Sequence, residues 1–159
     1  MAPSRHPPVL FLDIDGVLNR TAHATHVRVD DDLVALLRGV VQSTDCVIVL
    51  STYWRPFFEY LRYVLARFGI KRVIDRTPGG SGAVHSSSAD EIHYACRAAE
   101  IEAWLGAHPD VERFAILDDR PSASNERLAP HFVRTDSAVG MSADNAARCK
   151  LLLLGNARM

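Results

Sequence analysis

Three short apolar runs, Val9 to Leu12, Cys46 to Leu50 and Phe114 to Leu117, each stop abruptly at a polar cluster. Each run has the length of one strand, and none alternates polar with apolar residues, so each reads as a strand buried on both faces. Such strands belong to parallel sheets covered by helices. The segments between them carry helical signals. Leu33, Leu36, Leu37 and Val40 recur at helical spacing in Leu33 to Val41, with Asp30 to Asp32 as a candidate cap. Further helices are expected over Tyr53 to Phe68, Asp90 to Leu105 and Ala143 to Leu154. Pro56 is tolerable in a first helical turn, and Gly69 supplies a stop. Brief strands are expected at Val73 to Ile74 and at Phe132 to Val133. Strands alternating with helices imply parallel βαβ units. The expected fold is therefore α/β, a three-layer α/β/α sandwich with a mainly parallel central sheet.

In open α/β sheets the ligand crevice lies at the carboxyl ends of the strands. The three runs deliver Asp13 and Asp15, Ser51 and Thr52, and Asp118 and Asp119 to that edge. Side chains alternate along a strand, so Asp13 and Asp15 are expected to leave on the same side. Two like charges at one place are costly unless a cation or a shared proton relieves them. A hard divalent ion such as Mg2+ suits oxygen ligands and keeps waters for a substrate phosphate. Gly16 permits a sharp turn away from the site. A hydroxyl at Ser51 or Thr52 can donate to a phosphoryl oxygen, cap the following helix, or do both. The cation opposite the phosphate is assigned first to Arg97, near the start of a helix, with Lys71 and Arg72 as competitors.

The residues Asp13-Ile14-Asp15-Gly16 after an apolar strand, Ser51 and Thr52 after the second, and Asp118 and Asp119 after the fourth resemble the motifs of the haloacid dehalogenase (HAD) superfamily of Mg2+-dependent phosphohydrolases. The combination LDIDGVLN, STYWR, RxxEIxxWL (Arg97 to Leu105) and ILDDR is more narrowly similar to the small HAD domains grouped with RNA-repair proteins. An acidic pair followed by Arg is also similar to the phosphatase half of polynucleotide kinase-phosphatases. The resemblance implies Asp13 as a nucleophile that forms an aspartyl-phosphate. It implies Asp15 as general acid and then base, with its backbone carbonyl on the metal, and Ser51 as the hydroxyl of the second motif. Arg97 is the third-motif cation, and Asp118 and Asp119 are the metal-side acids, either of which could be the direct ligand.

The 159 residues suit one domain, residues 9–159, preceded by a proline-rich arm over residues 1–8. Net charge is −1, so nothing global points to nucleic acid or to a membrane. Cys46, Cys96 and Cys149 are widely spaced and read as small buried hydrophobes in a reducing compartment. With no apolar signal core and no long apolar span, the expected protein is soluble and cytoplasmic. Asn19 to Val29 reads as a polar flap over the sheet edge, and Thr77 to Ser88 as a Gly- and Ser-rich loop. There is no GxxxxGK[ST], hence no kinase module. Neither intermotif segment has room for a cap domain. An open site suits a bulky phosphorylated substrate such as a nucleic-acid end, or a cap lent by another subunit. Arg20, His23, His26 and Arg28 of the flap, with Arg55 and Arg120, could meet a polyanion. Gly16 and Thr52 join Arg55 and Arg120 as expected substrate contacts. Trp54 could stack on a base or simply pack. A non-catalytic module that binds phosphorylated partners is the competing reading.

Overall fold

The computed structural model describes residues 6–79 and 97–156. Five strands, β1 (Val9–Leu12), β2 (Val47–Leu50), β3 (Val73–Arg76), β4 (Phe114–Asp118) and β5 (Phe132–Arg134), form one sheet in the order β3-β2-β1-β4-β5. Every pairing is parallel, so the sheet expected to be mainly parallel is wholly so. Among the described residues four helices cover it: α1 (Asp31–Thr44), α2 (Phe58–Arg67), α3 (Arg97–Ala107) and α4 (Ala143–Leu153). The described residues contain no separate cap domain.

The period of two along each strand splits the core. Leu10, Leu12, Ile48, Leu50 and Leu117 face α1, α2 and α4, meeting Leu37, Leu61, Leu65 and Leu153. Val9, Phe11, Val47, Val49 and Ile116 face α3, meeting Ala98, Ile101 and Trp104. Both faces of β1 are thus sealed, which is why that strand reads as a continuous apolar run. Phe11 packs edge-on against Trp104 with ring centroids 5.4 Å apart. Truncating Phe11 to Ala would cost about 3–5 kcal/mol. Cys46 and Cys149 lie in the core, where burial pushes both thiols up, Cys149 to about 12. They are packing residues without thiolate character.

Several helix ends differ from expectation for local reasons. α1 runs beyond its expected limits at both ends, and Asp30 does not cap it with its side chain. That carboxylate is instead held by Arg20 and Arg28 of the flap, at 2.9 and 3.2 Å. The expected start of the second helix at Tyr53 is replaced by a turn and a 3-10 segment, Arg55–Phe57, before α2 begins. Pro56 explains the delay, since it lacks an N–H and disfavours helical backbone at the residue before it. Gly69, at φ 84°, ends α2 as expected. α4 opens with a reciprocal capping box between Ser142 and Asn145. The expected helix start at Asp90, Cys96 and most of the Gly- and Ser-rich loop lie outside the described residues. Among the described residues no helix is long and apolar enough to cross a membrane.

Candidate active site

Strand register assembles the site. Leu12 pairs with Leu50 on one side and with Leu117 on the other. The next residue of each strand is Ser51, Asp13 or Asp118, so these three arrive in one row at the carboxyl edge of the sheet. Backbone bonds carry the register one step further, from the N–H of Ser51 to the Leu12 carbonyl (2.8 Å) and from the N–H of Asp13 to the Leu117 carbonyl (3.1 Å). The strand order reverses between β1 and β4, the place where such sheets open a crevice.

Arg97, at the start of the described part of α3, closes this row from below. One of its terminal nitrogens donates to Asp13 Oδ2 at 3.0 Å and to Asp118 Oδ2 at 2.8 Å, and the side chain is 2% exposed. The competing cations lie elsewhere. Lys71 is exposed, and Arg72 bonds the carbonyl and carboxylate of Asp45, which precedes β2 at the opposite edge of the sheet.

Asp13, Asp118 and Asp119 are all buried, and one carboxylate oxygen from each lies within 4.8 Å of the others. Burial pushes the Asp118 carboxyl well above its ordinary range; Asp13 beside it adds to this, and Arg97 offsets only part. Burial, and then Asp13, push Asp119 up to about 7. Ionised together, three acids against one buried guanidinium leave an excess of negative charge that water does not solvate. Protons or a cation must supply the balance. All-oxygen donors suit a hard ion, so the residues fit Mg2+. Asp118 accepts from Arg97 on Oδ2 and from the Arg120 N–H on Oδ1 (2.9 Å). The Asp119 carboxylate is engaged more loosely, by Arg120 Nε at 3.8 Å, while its backbone carbonyl accepts from Arg134 Nε at 3.2 Å.

Gly16 is where Asp119 and the first motif touch. It has φ 74°, and a Cβ built there would collide with the Asp119 carboxylate. Its role is steric as well as conformational. Its carbonyl also accepts the Thr135 hydroxyl at 2.7 Å, a contact no sequence motif marks.

Asp15 departs from expectation. The strand ends at Leu12, and Ile14 to Leu18 forms a turn in which the Leu18 N–H bonds the Ile14 carbonyl at 2.9 Å. Alternation no longer applies there, and the Asp15 carboxylate joins a different set of partners from that of Asp13. It accepts from Asn19 Nδ2 (3.0 Å), Trp54 Nε1 (3.0 Å) and the Ala24 N–H of the flap (3.2 Å). Sequence reasoning missed Asn19 and saw Trp54 only as a stacking or packing residue. The available signal was position, since Asn19 closes LDIDGVLN and Trp54 follows the hydroxyl motif.

The remaining expected contacts divide. The Ser51 hydroxyl is buried with no hydrogen-bond partner among the described residues. A buried hydroxyl left so is unusual and keeps its donor free. The Thr52 hydroxyl accepts the Trp54 N–H at 3.2 Å. Arg55 forms a two-pronged pair with Glu100 of α3 at 2.8 and 3.1 Å. Arg120 stays at the rim, reaching His23 of the flap at 3.0 Å. Arg20 is held by Asp30 and Asp32.

A parallel five-stranded sheet with acids and a hydroxyl in register at its switch point defines a HAD-like domain. The family model described as the HAD domain in Swiss Army Knife RNA repair proteins matches residues 9–146, and the chain belongs to that family. Comparison with curated proteins and with solved structures returns no match.

Proposed function

We propose that this domain is a Mg2+-dependent phosphomonoesterase that works through an aspartyl-phosphate on Asp13. The observation that carries the reading is the buried row of Ser51, Asp13 and Asp118 bridged by Arg97. Asp13 and Asp119 would hold the ion through their carboxylates and Asp15 through its carbonyl, with Asp118 orienting Arg97. Mg2+, when bound, supplies the positive charge that lets these acids ionise together beside a phosphate.

Asp13, ionised, would attack phosphorus in line with the departing ester oxygen, forming the Asp–O–P bond as the P–O ester bond breaks. Asp15 would give its proton to the leaving alcohol. In the second half Asp15 would take a proton from water as that water attacks phosphorus, releasing phosphate and regenerating Asp13. Ser51 would donate its otherwise unused hydroxyl to a phosphoryl oxygen, and Arg97 would keep Asp13 aimed. The absence of a cap domain among the described residues supports a bulky substrate, and the family description supports a nucleic-acid end.

One observation favours the competing reading of a phosphate-binding module. Three N–H donors hold Asp15 as an acceptor, which leaves one of the roughly four acceptor positions of a carboxylate for the proton a leaving group needs. Hydrolysis of an aryl phosphate with Mg2+, compared with Asp13→Asn, separates the two. Activity in the wild type alone supports the enzyme; equal activity in both sinks the nucleophile; Mg2+ and phosphate binding without turnover establishes the binding module.

A further inference from the structure

The outer face of α2 and the turn before it carry Tyr53, Phe57, Tyr60 and Tyr63, each between 50% and 60% exposed. Clustered aromatic area in water is uncommon on a monomer and marks an interaction surface. Two shallow grooves of about 350 and 450 Å³ run along this face, and Tyr60 lines both, forming the ridge between them.

Charge narrows the partner. The chain as a whole is close to neutral, but here Arg67 and Arg76 line the same two grooves as Tyr60, and Arg62 adds a third guanidinium that pairs at 3.5 Å with Glu59, the one acid of α2. Arg62 and Arg76 lie over Phe58 at 5.5 and 5.4 Å, and Arg67 lies 6.0 Å from the Tyr63 ring. Flat rings interleaved with guanidinium groups are what an unpaired strand requires: faces for bases to stack on, and positive charge for the phosphates between them. A purely apolar partner would leave those arginines desolvated.

The face also leads somewhere. Trp54 sits 5.7 Å from Tyr53 and 5.9 Å from Phe57, ring to ring, and donates its indole N–H to Asp15. Aromatic contacts therefore run from Phe57, just before α2, through Trp54 to Asp15 at the mouth of the site. We propose that this face is a track for single-stranded nucleic acid, stacking bases on Tyr60 and Tyr63 and delivering the strand's end toward Asp13. The track rests on the phosphatase reading for where the phosphorylated end goes, and not for the binding itself.

The test is fluorescence anisotropy of a fluorescein-labelled single-stranded oligonucleotide with no terminal phosphate, titrated with the metal-free protein at several salt concentrations. Tyr60→Ala and Tyr63→Ala should each weaken binding at least about fivefold. Arg62→Ala with Arg67→Ala should flatten the salt dependence by about 1.4 in log–log slope, roughly 0.7 for each phosphate no longer neutralised. Tyr60→Leu, which keeps bulk but not the ring, should behave like Tyr60→Ala, and melting curves verify that each variant folds. Binding that is absent in the wild type, or unchanged in the tyrosine variants, overturns the track. So does a dimer that Tyr60→Ala disperses without any oligonucleotide binding, which would assign the face to a second copy. Aryl phosphate hydrolysis by the wild type reads the catalytic proposal separately, so either can fail alone.

Discussion

The two acids of the first motif are two residues apart and belong to differently built halves of the site. Asp13 is 3% exposed, held by strand register and by a buried arginine. Asp15 is partly exposed, held by side-chain and flap hydrogen bonds that cross open loop. The first half is fixed by the same packing that makes the sheet, so it cannot loosen without unfolding. The second half is held by polar contacts near solvent, each worth only about 0.5–3 kcal/mol, so it can rearrange within the native state. The proposed roles follow that division: a nucleophile gains from rigidity, whereas a proton carrier needs access to both leaving group and water.

Substitutions that separate the halves should differ in size and in kind. Asp13→Asn should lower aryl phosphatase activity at least about a thousandfold, since no other group can form the covalent intermediate. Asp15→Asn should be far milder on an aryl phosphate than on an alkyl phosphate, because a good leaving group departs without a proton. Equal losses on the two substrates would break the assignment. Asp119→Asn should weaken Mg2+ binding by more than the roughly 100-fold typical of a residue beyond the direct ligands. It should also raise the metal-free melting temperature, because a buried carboxyl that resists ionisation is removed.

The raised carboxyls give that half a pH signature. Between the ordinary range near 3.8 and about 7, folded Asp119 keeps a proton that the unfolded chain has lost, and Asp118 is shifted in the same direction. The folded state then binds more protons, so metal-free stability should fall as pH rises through this window. Mg2+ must displace those protons, so the stabilisation it confers should grow over the same interval. Melting curves with and without Mg2+ between pH 5 and pH 8 would show the gap opening (a range set roughly by those shifts). A gap independent of pH would remove the acids from the metal site.

In the looser half, Trp54→Phe should lower kcat by about tenfold, the worth of one hydrogen bond to a charged group. Its mark would be a displaced pH–rate profile with little change in melting temperature. Arg20→Ala, which removes an exposed flap ion pair with Asp30 and Asp32, should leave the melting temperature nearly unchanged, because solvent screens such pairs.

The same division decides what the amino-acid sequence discloses. Asp13, Ser51 and Asp118 are legible because a buried strand announces itself through continuous apolar residues and its end through the first polar one. Register then aligns them with no further information. Arg97 was legible as a candidate only, since a helix-borne cation has no pattern that separates it from surface charge; its burial against two acids distinguishes it. The cradle around Asp15 was not legible. Its members come from the turn, the flap and the segment after β2, and nothing in their spacing states that they meet. The Arg55 pairing was hidden for a related reason: the sequence shows a charge near the site, not that Glu100 lies against it.

Asp13 and Arg97 are 84 positions apart along the chain yet 3.0 Å apart in the fold. Closing so long a loop costs entropy before any contact repays it, which places this pairing late in folding. As the polypeptide leaves the ribosome, β1 and β2 can pair and set Ser51 beside Asp13 while β4 and α3 are still unmade. During that interval the nucleophile has neither its counter-charge nor its acidic neighbours. The repulsive cluster, and with it any reason to capture a metal, comes into being in the same event that completes the sheet.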